Sequence, residues 1–302
     1  MSVTASKEGT LLPMVSELFG PSLFAVTGGL LFGAQANLGR RGLDHMGPQE
    51  GALVTIGAAT LVFWLMAPFS MKSEHWFSPG FWIFLTNGMI HPTVSMWLIF
   101  EANRRMGPTI SSTVAATAPL FATAGAVLTL GEALTVPVLA GTLATVAGIV
   151  VLSWRRAGLS EWTLSALFFP LGAAVVRAIS FVWGKYGLEE LDSPYFASTV
   201  TFSVAFLLSA AAYLIRKRGR PTRLPRKGVL WCSMGGICVA GAILCMYTAL
   251  SRGQVLIVAP LINTYPMFTL GFALAFRQES PGARIVMGVL LVVGGVALIL
   301  AF

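Results

Sequence analysis

Apolar blocks of about 20 residues dominate this chain and limit what it can fold into. Hydrophobic residues make up 56% of the sequence and charged residues only 11%, whereas an ordinary soluble domain has about 25% charged residues. About 20 apolar residues are needed to cross a ~30 Å hydrocarbon core as a helix. Because backbone polar groups in lipid must be paired within the protein, the blocks predict membrane-spanning helices.

Ten such blocks follow one another and predict an all-α membrane protein with ten transmembrane helices. The first five lie near residues 18–38, 49–70, 79–103, 108–130 and 135–153. The second five lie near residues 161–185, 194–215, 228–250, 254–276 and 281–302. Residues 1–17 lack the basic and apolar regions of a signal peptide, so we expect an N-terminal tail. No loop is long enough to form a separate soluble domain.

Positive charge is concentrated on one predicted face of the membrane. The net charge is +8, and fifteen of the twenty Lys and Arg residues lie in connections that share this face. Seven of them lie in residues 216–227, a proline-broken loop too short for the folded domain that nucleic-acid binding requires. We therefore expect no nucleic-acid partner, and a loop next to anionic lipid headgroups. The positive-inside rule places this face in the cytoplasm and both termini outside.

The two halves of the chain contain matching residues in the same order. In the first match, Gly-Arg-Arg-Gly-Leu at 39–43 corresponds to Gly-Lys-Tyr-Gly-Leu at 184–188; Pro48 follows the first segment and Pro194 the second. The second match has an offset of 147 and relates Ala102, Arg105, Pro119, Glu132, Gly141 and Gly148 to Ala249, Arg252, Pro266, Glu279, Gly288 and Gly295. Two such matches in the same order indicate a duplication.

An odd number of spans in each half makes the second copy cross the membrane upside down. We therefore predict two inverted five-helix repeats, residues 18–153 and 161–302, around a central cavity. Secondary transporters with this plan bind substrate near the membrane midplane, and their halves rock around the site. The duplication thus points from a membrane protein to a carrier of a small-molecule substrate.

The repeated series A-x-x-R, Pro, Leu/Arg-x-Glu and Gly, together with the G-[RK]-x-G-L turn, resembles the drug/metabolite transporter (DMT) superfamily. The resemblance is to its ten-helix form with two EamA-type repeats, and it covers nearly the whole chain. It implies a carrier whose cavity is lined by the first, third, fourth, sixth, eighth and ninth helices, and which generally exports or exchanges metabolites. Members usually have both termini in the cytoplasm, the reverse of the orientation that the charges predict.

Prolines interrupt the fourth and ninth blocks and predict kinks. Pro119 removes the hydrogen bond to the carbonyl of Ala115, and Pro266 removes that to the carbonyl of Ile262. A freed carbonyl in a membrane needs a partner or a water-lined cavity, although packed interfaces with ordinary kinks fit the pattern too. We predict Pro119 and Pro266 as hinges, and as cavity walls Thr117, Asn263 and Tyr265.

Asn87, His91 and Ser95 are spaced four residues apart and would share one face of a regular third helix. Polar side chains at membrane depth are costly unless they meet a partner or water, so we expect this face to point inward. His91 can change its charge near neutral pH, which makes a proton one candidate coupling partner and a counter-substrate the other. A histidine bonded to a neighbouring helix without a role in transport fits equally well.

Arg177 is a charge well inside the sixth block, where its neighbours are uncharged. Such a charge costs roughly 2.5–3.5 kcal/mol on insertion scales. One interpretation is a counter-charge for a substrate carboxylate or phosphate, which the planar guanidinium fits. The other is a structural ion pair, for example with Glu101, or a side chain that extends to the interface. Gln35 and Asn37, near the end of the first block, are neutral candidates for the same cavity.

Aromatic and acidic residues supply further candidates. Trp97, Trp183 and Tyr247 offer stacking surfaces for a ring-bearing substrate, although aromatic residues also collect at membrane interfaces. Glu132 and Glu279 start the last helix of each half, where capping of that helix explains a carboxylate. The first block contains no acidic residue, and the glutamate by which small multidrug exporters exchange protons for cationic drugs is therefore absent.

Motifs for ATP hydrolysis and enzyme catalysis are missing from the sequence. No GxxxxGK[ST] loop, GxSxG elbow or HExxH helix occurs, and the three histidines lack metal-ligand spacing. We therefore predict a secondary transporter, not an enzyme, without cofactor or metal. We expect it to move a small polar or anionic metabolite, such as an amino acid or a related carboxylate, as a monomer or weak dimer in a bacterial-type inner membrane. The alternative is a carrier or flippase for lipids or lipid-linked intermediates.

Overall fold

The computed structural model describes residues 8–95, 97–99, 101–102, 105, 111, 114–153, 164–217, 224–275 and 283–301. Most of these residues are helical, and none of them lies in a β-strand. The first half contains α1 (Glu8–Leu43), α2 (Pro48–Ser70), α3 (Pro79–Gly88), α4 (Ala118–Gly125) and α5 (Val136–Ser153). The second half contains α6 (Phe168–Glu190), α7 (Pro194–Arg216), α8 (Arg226–Arg252), α9 (Val255–Ile262), α10 (Tyr265–Ala275) and α11 (Ala283–Leu300).

The all-α prediction is confirmed, and several helices have the dimensions of membrane spans. Within the described ranges, six helices are long and apolar enough to cross a membrane: Pro48–Ser70, Ser165–Glu190, Pro194–Arg216, Arg226–Arg252, Val255–Phe272 and Ala283–Leu300. Two shorter apolar helices cover Ala118–Leu130 and Val136–Leu152. Wide π-type turns extend α3 over Met89–Val94 and α4 over Ala126–Leu130, and 3₁₀ turns cover Ser73–Phe77 and Leu164–Leu167.

The outer surface is apolar to a degree that suits lipid. Leu23, Leu207 and Leu290 are each about two-thirds exposed (68%, 65% and 66%). Contiguous exposed apolar surface is rare on soluble monomers. Buried aromatic side chains, among them Phe63 and Phe84, fill the interior between the helices.

Proline and serine determine where two of the helices begin. Pro79 and Pro194 occupy the first turns of α3 and α7, where the missing N–H would have had no partner within the helix. Ser78 and Ser193 cap these helices, because each hydroxyl accepts a hydrogen bond from a first-turn N–H, at 3.2 and 3.4 Å. The predicted starts of these two spans therefore agree with the structure.

The fourth and ninth blocks are both interrupted, at equivalent positions. A turn at residues 116–117 precedes α4, and a turn at 263–264 separates α9 from α10; the offset of 147 relates the two. In both turns a threonine hydroxyl donates to the carbonyl three residues earlier, Thr117 at 2.7 Å and Thr264 at 2.6 Å. A proline follows each turn at the same spacing, and its missing N–H prevents a continuous helix.

Packing between the halves follows the repeat. α1 packs on α8, and its repeat equivalent α6 packs on α3. Likewise α1 packs along α9 and α10, and α6 packs along α4. In the same way α2 packs on α8, and its equivalent α7 packs on α3. The contacts of α2 with α7 and of α5 with α11 join helices that are equivalent to each other. Exchange of the two halves therefore preserves the contact pattern.

Glycines bring α5 and α11 into close contact. A Cβ atom at Gly141 would lie 2.6 Å from the carbonyl oxygen of Gly295, and one at Gly148 would lie 2.8 Å from that of Gly288. The residue number on α11 falls as that on α5 rises, so the two helices run antiparallel. Backbones can approach this closely only where side chains are absent.

Candidate functional site

A cavity of about 430 Å³ lies between the two halves, a volume in the range of small-molecule sites. It is lined by residues of α1, α2, α6, α7, α8, α9 and α10, together with His91, Pro92, Ser95 and Ile99 after α3 and Ala115, and most of the lining residues are apolar. The cavity reaches Leu43 and Pro48, which are exposed at the end of α1 and the start of α2. Arg40, Arg216 and Arg226 are exposed at the same end of the molecule. We call this end the basic face and the other end the opposite face.

Arg177 brings a positive charge to the cavity wall. Its Nη1 donates a hydrogen bond to Oδ1 of Asn263 (3.3 Å), in the turn between α9 and α10. Nδ2 of Asn263 donates to the carbonyl of Ala259 at 2.7 Å, which holds the amide oxygen toward the arginine. No carboxylate in the described part of the chain pairs with Arg177. Glu101, the partner considered from sequence, pairs with Arg105 at 2.7 Å.

A break after α3 determines the positions of His91 and Ser95. The backbone at His91 is extended (φ −132°, ψ 129°) within the wide turns of residues 89–94, so Asn87, His91 and Ser95 do not follow a regular helix as their spacing suggests. Nδ1 of His91 lies 2.7 Å from Oγ of Ser95. Both residues line the cavity, whereas Asn87 lies behind it.

A chain of buried hydrogen bonds closes the deep end of the cavity. Nδ2 of Asn87 donates to the Tyr247 hydroxyl (3.0 Å) and to the carbonyl of Ser180 (3.3 Å). The Tyr247 hydroxyl lies 3.1 Å from Oγ1 of Thr201, which donates to the carbonyl of Phe84 (3.3 Å). Tyr247, Ser180 and Thr201 line the cavity, while Asn87 is fully buried directly behind them.

Six of the eleven candidate residues meet in the cavity, and five lie elsewhere. The six are Gln35, His91, Arg177, Tyr247, Asn263 and Tyr265. Asn37 joins α1 to α10 by donating to the carbonyls of Gly33 (3.0 Å) and Thr269 (3.1 Å). The other four residues outside the cavity are Asn87, Thr117, Trp97 and Trp183. Asn87 lies behind the cavity, Thr117 lies in the turn before α4, and Trp97 and Trp183 are 61% and 40% exposed. A ligand contact for any of the eleven stays a prediction.

Several cavity residues occupy positions that the repeat relates to each other. The offset of 145 in the 39–43 match, and of 146 at the following proline, relates four pairs in which both members line the cavity. The pairs are Phe32 and Arg177, Gln35 and Ser180, Thr55 and Thr201, and Ile56 and Phe202. Extending the offsets beyond the short motifs would therefore have located these positions.

On the opposite face, a carboxylate joins the two halves. Glu132 accepts hydrogen bonds from the N–H groups of Val255 (2.8 Å) and Leu256 (2.9 Å) in the first turn of α9. Glu132 thus caps a helix of the other half, not the helix that follows it, because the free N–H groups and the positive dipole end of α9 lie beside its turn. The Tyr186 hydroxyl also crosses between the halves and donates to the carbonyl of Thr129 at 2.7 Å.

A second groove, of about 620 Å³, lies on the outer side of α3, α4 and α6. Its wall is mainly apolar, and Trp183, whose Nε1 donates to Oγ1 of Thr86 (2.9 Å), lies at its side with Tyr186 and Glu190. No group of three His, Cys, Asp or Glu side chains within the described residues is placed to hold a metal ion.

Membrane-length helices in two related halves around a cavity define a membrane transporter. Residues 20–154 and 164–301 each match the EamA-like transporter family. The chain therefore belongs to this family, within the DMT superfamily, as the motifs suggest.

Individual proteins agree with this assignment. A curated relative from Sinorhizobium sp, the "Uncharacterized transporter in cobO 3'region", is 22% identical over 135 residues, which are 45% of this chain and 96% of the relative. A protein of known crystal structure shares the fold, with a TM-score of 0.81 at 19% identity over 92% of this chain and 95% of that one. The family and the relative's name confirm a transporter instead of an enzyme, and a multi-pass protein of the inner membrane.

Proposed function

We propose that the chain is a secondary carrier that moves a small polar or anionic metabolite, such as an amino acid or a related carboxylate, by alternating access. We propose further that it works as an exporter or exchanger. The observation that carries this proposal is Arg177, a charge on the wall of a cavity within the membrane, whose described hydrogen-bond partner is a neutral amide.

The energetic cost of Arg177 supports an anionic substrate. Placing the charge at membrane depth costs roughly 2.5–3.5 kcal/mol, and the bond to Asn263 does not neutralise it. A carboxylate would neutralise it through two parallel hydrogen bonds to the planar guanidinium. α10 begins beside Asn263, and the positive end of its dipole favours the same anion. These features favour an anionic group over a cationic one at this point of the cavity.

Alternating access is supported by the relation between the halves, which we take as residues 18–153 and 161–302. Their contacts are exchanged by the repeat, and α5 and α11 run antiparallel, as inverted halves require. The cavity reaches the basic face, while the contacts of Glu132 and Tyr186 join the halves on the opposite face. Rocking of the halves would close the cavity at the basic face and separate the contacts of Glu132 and Tyr186 at the opposite face.

Counterflow into proteoliposomes tests the proposal. We expect saturable exchange of labelled amino acids or carboxylates by the wild type, found by screening a panel. Arg177→Gln should raise the apparent KM at least about tenfold, because hydrogen bonds between charged groups are lost, while the protein keeps its melting temperature.

The matched control is Arg226→Gln, which removes an exposed charge at the basic face and should transport like the wild type. Unchanged KM in Arg177→Gln would contradict the proposed role of this residue. No saturable exchange with any member of the panel would contradict the proposed substrate class.

A lipid carrier is the second candidate, because the groove on α3, α4 and α6 faces outward and is mainly apolar. A carrier of this kind would move a fluorescent phospholipid between leaflets in the same proteoliposomes. Its activity should depend on the groove and not on Arg177. Lipid movement without metabolite exchange would therefore favour this alternative.

A further inference from the structure

We propose that Asn87 is a second recognition group, which accepts a hydrogen bond from the ammonium group of the substrate. The cavity would then select α-amino acid zwitterions over the corresponding simple carboxylates. This inference rests on the proposed function, since Arg177 must hold the carboxylate of the same substrate. Its basis is a buried acceptor without a donor: Oδ1 of Asn87 has no hydrogen-bond partner among the described residues.

The direction of the hydrogen bonds at the deep end shows why this atom needs a donor. Both amide hydrogens of Asn87 are used, on the Tyr247 hydroxyl and on the Ser180 carbonyl. The Tyr247 hydroxyl accepts from Asn87, so its own hydrogen is directed to Thr201, whose hydrogen goes to the Phe84 carbonyl. None of the described residues has a hydrogen that remains for Oδ1. A buried amide oxygen is normally paired, and an N–H⁺ group is the complementary ligand.

Asn87 and Arg177 both belong to the region around one stretch of α6. The Ser180 carbonyl, which accepts from Asn87, belongs to a residue three positions after Arg177 on α6, about 4.5 Å along the helix axis. We therefore propose that the two side chains hold the ammonium and the carboxylate of one α-amino acid. Oδ1 is sealed while the cavity reaches the basic face, so we expect contact when the halves close around the substrate.

The repeat indicates that these polar groups are not required by the fold. The contacts of Gly80 and Gly88 match those of Gly228 and Gly236, which gives an offset of 148 on α3 and relates Asn87 to Gly235. The offset of 147 relates Asn263 to Ala116, and the offset of 145 relates Arg177 to Phe32. In each pair one half has a polar side chain where the other has glycine or an apolar side chain. Since the same helix positions fold without a polar group, a polar group at three of them is better explained by a ligand.

The larger part of the remaining wall is apolar and concerns the third substituent of the substrate. Ile56, Phe181, Phe202, Ile243 and Met246 line the cavity and offer no hydrogen bonds, whereas Gln35, Thr55, His91 and Ser95 form its polar part. We expect the substrate side chain to pack against the apolar part, as an aliphatic or aromatic side chain does. Burial of that side chain against these walls would contribute binding energy in proportion to its apolar area.

Matched ligand pairs test the inference directly on the purified, full-length protein. The pairs are L-leucine with 4-methylpentanoate, and L-phenylalanine with 3-phenylpropanoate, which differ only by the amino group. Binding is measured by thermal shift and by competition in the counterflow assay. For at least one pair we expect the wild type to bind the amino acid about tenfold or more tightly than the carboxylate.

Two variants connect this preference to Asn87. Asn87→Met removes the amide oxygen and should bring the amino acid to the affinity of the carboxylate, while leaving the carboxylate unchanged. Tyr247→Phe disturbs the same network but keeps Oδ1, and it should retain the ratio.

Equal binding of both members of each pair by the wild type would overturn the inference even if Asn87→Met failed to fold. So would an equal loss of both ligands in that variant. Arg177→Gln distinguishes the two proposals, because it should weaken both members of a pair. If neither member binds the wild type at all, the proposed function fails together with the inference.

Discussion

Arg177 can attract an anion only while no internal carboxylate neutralises it. Asn263 satisfies this condition, because its amide oxygen accepts a hydrogen bond without adding charge. Asn263 is nearly the same size as aspartate, so the choice of amide over acid at this position determines the charge of the cavity wall. The bond from Asn263 to the Ala259 carbonyl keeps the oxygen, and not the nitrogen, toward Arg177.

A substitution at Asn263 separates this electrostatic role from a structural one. Asn263→Asp should pair with Arg177 and weaken binding of the anionic substrate at least about tenfold, because the substrate must displace an internal ion pair. Asn263→Ala removes the amide but leaves the charge available, and it should weaken binding less. Isothermal titration with the substrate found in the counterflow screen measures both. A larger loss in the alanine variant would show that the amide acts mainly as a structural support.

At the scale of helices, glycine contacts determine how α5 and α11 pack. Gly295 lies against Gly141 and Thr145, and a Cβ there would lie 2.5 Å from the Thr145 hydroxyl oxygen. The preceding Gly294 has no heavy atom within 4 Å of such a Cβ. Gly294 and Gly295 are adjacent on α11, but only Gly295 contacts α5.

Alanine substitutions at these two positions test the packing. Gly295→Ala should lower the free energy of unfolding by about 1–3 kcal/mol, since the added methyl group forces α5 and α11 apart. Gly294→Ala should be neutral or slightly stabilising, because alanine has the higher helix propensity. Thermal unfolding in detergent compares the two variants. Equal effects would mean that the close contact of α5 and α11 is not maintained in the membrane protein.

Local sequence signals predicted some elements and could not predict others. Pro79 and Pro194 mark helix starts because proline suits the first turn whatever surrounds it. The extended backbone at His91 was missed, because a spacing of four residues assumes an unbroken helix. The bond from Glu132 to α9 was missed as well, since it depends on how the two halves pack. Features that depend on residues within one helix could be predicted from the sequence. Contacts between segments that are distant in the sequence could be found only in the structure.

Some residues of the cavity could likewise be predicted from the sequence, and others could not. Arg177 and Asn263 were identified because a charge or amide inside an apolar block is conspicuous and costly. Trp97 was a candidate as a stacking surface for a ring-bearing substrate, yet it lies 61% exposed on the outer surface, because aromatic side chains are also stable against lipid. The sequence therefore identifies charged and amide residues inside apolar blocks, but it does not show whether an aromatic side chain faces the cavity or the lipid.

At the scale of the whole molecule, the carrier hypothesis requires that the two faces respond to each other. The contact of Glu132 with the start of α9 holds the halves together on the opposite face, while the cavity reaches the basic face. Hydrogen bonds to a charged group contribute about 1.5–3 kcal/mol. Weakening this contact should therefore shift the population toward a state that is open at the opposite face.

Hydrogen exchange on Glu132→Gln in lipid nanodiscs tests this coupling most directly, with Glu190→Gln, an exposed carboxylate at the same face, as the control. We predict faster exchange in Glu132→Gln at residues 247–258 on the opposite face, together with slower exchange at residues 40–52 on the basic face, and no change in the control. Faster exchange at the start of α9 with no change at the basic face would contradict alternating access between the two halves.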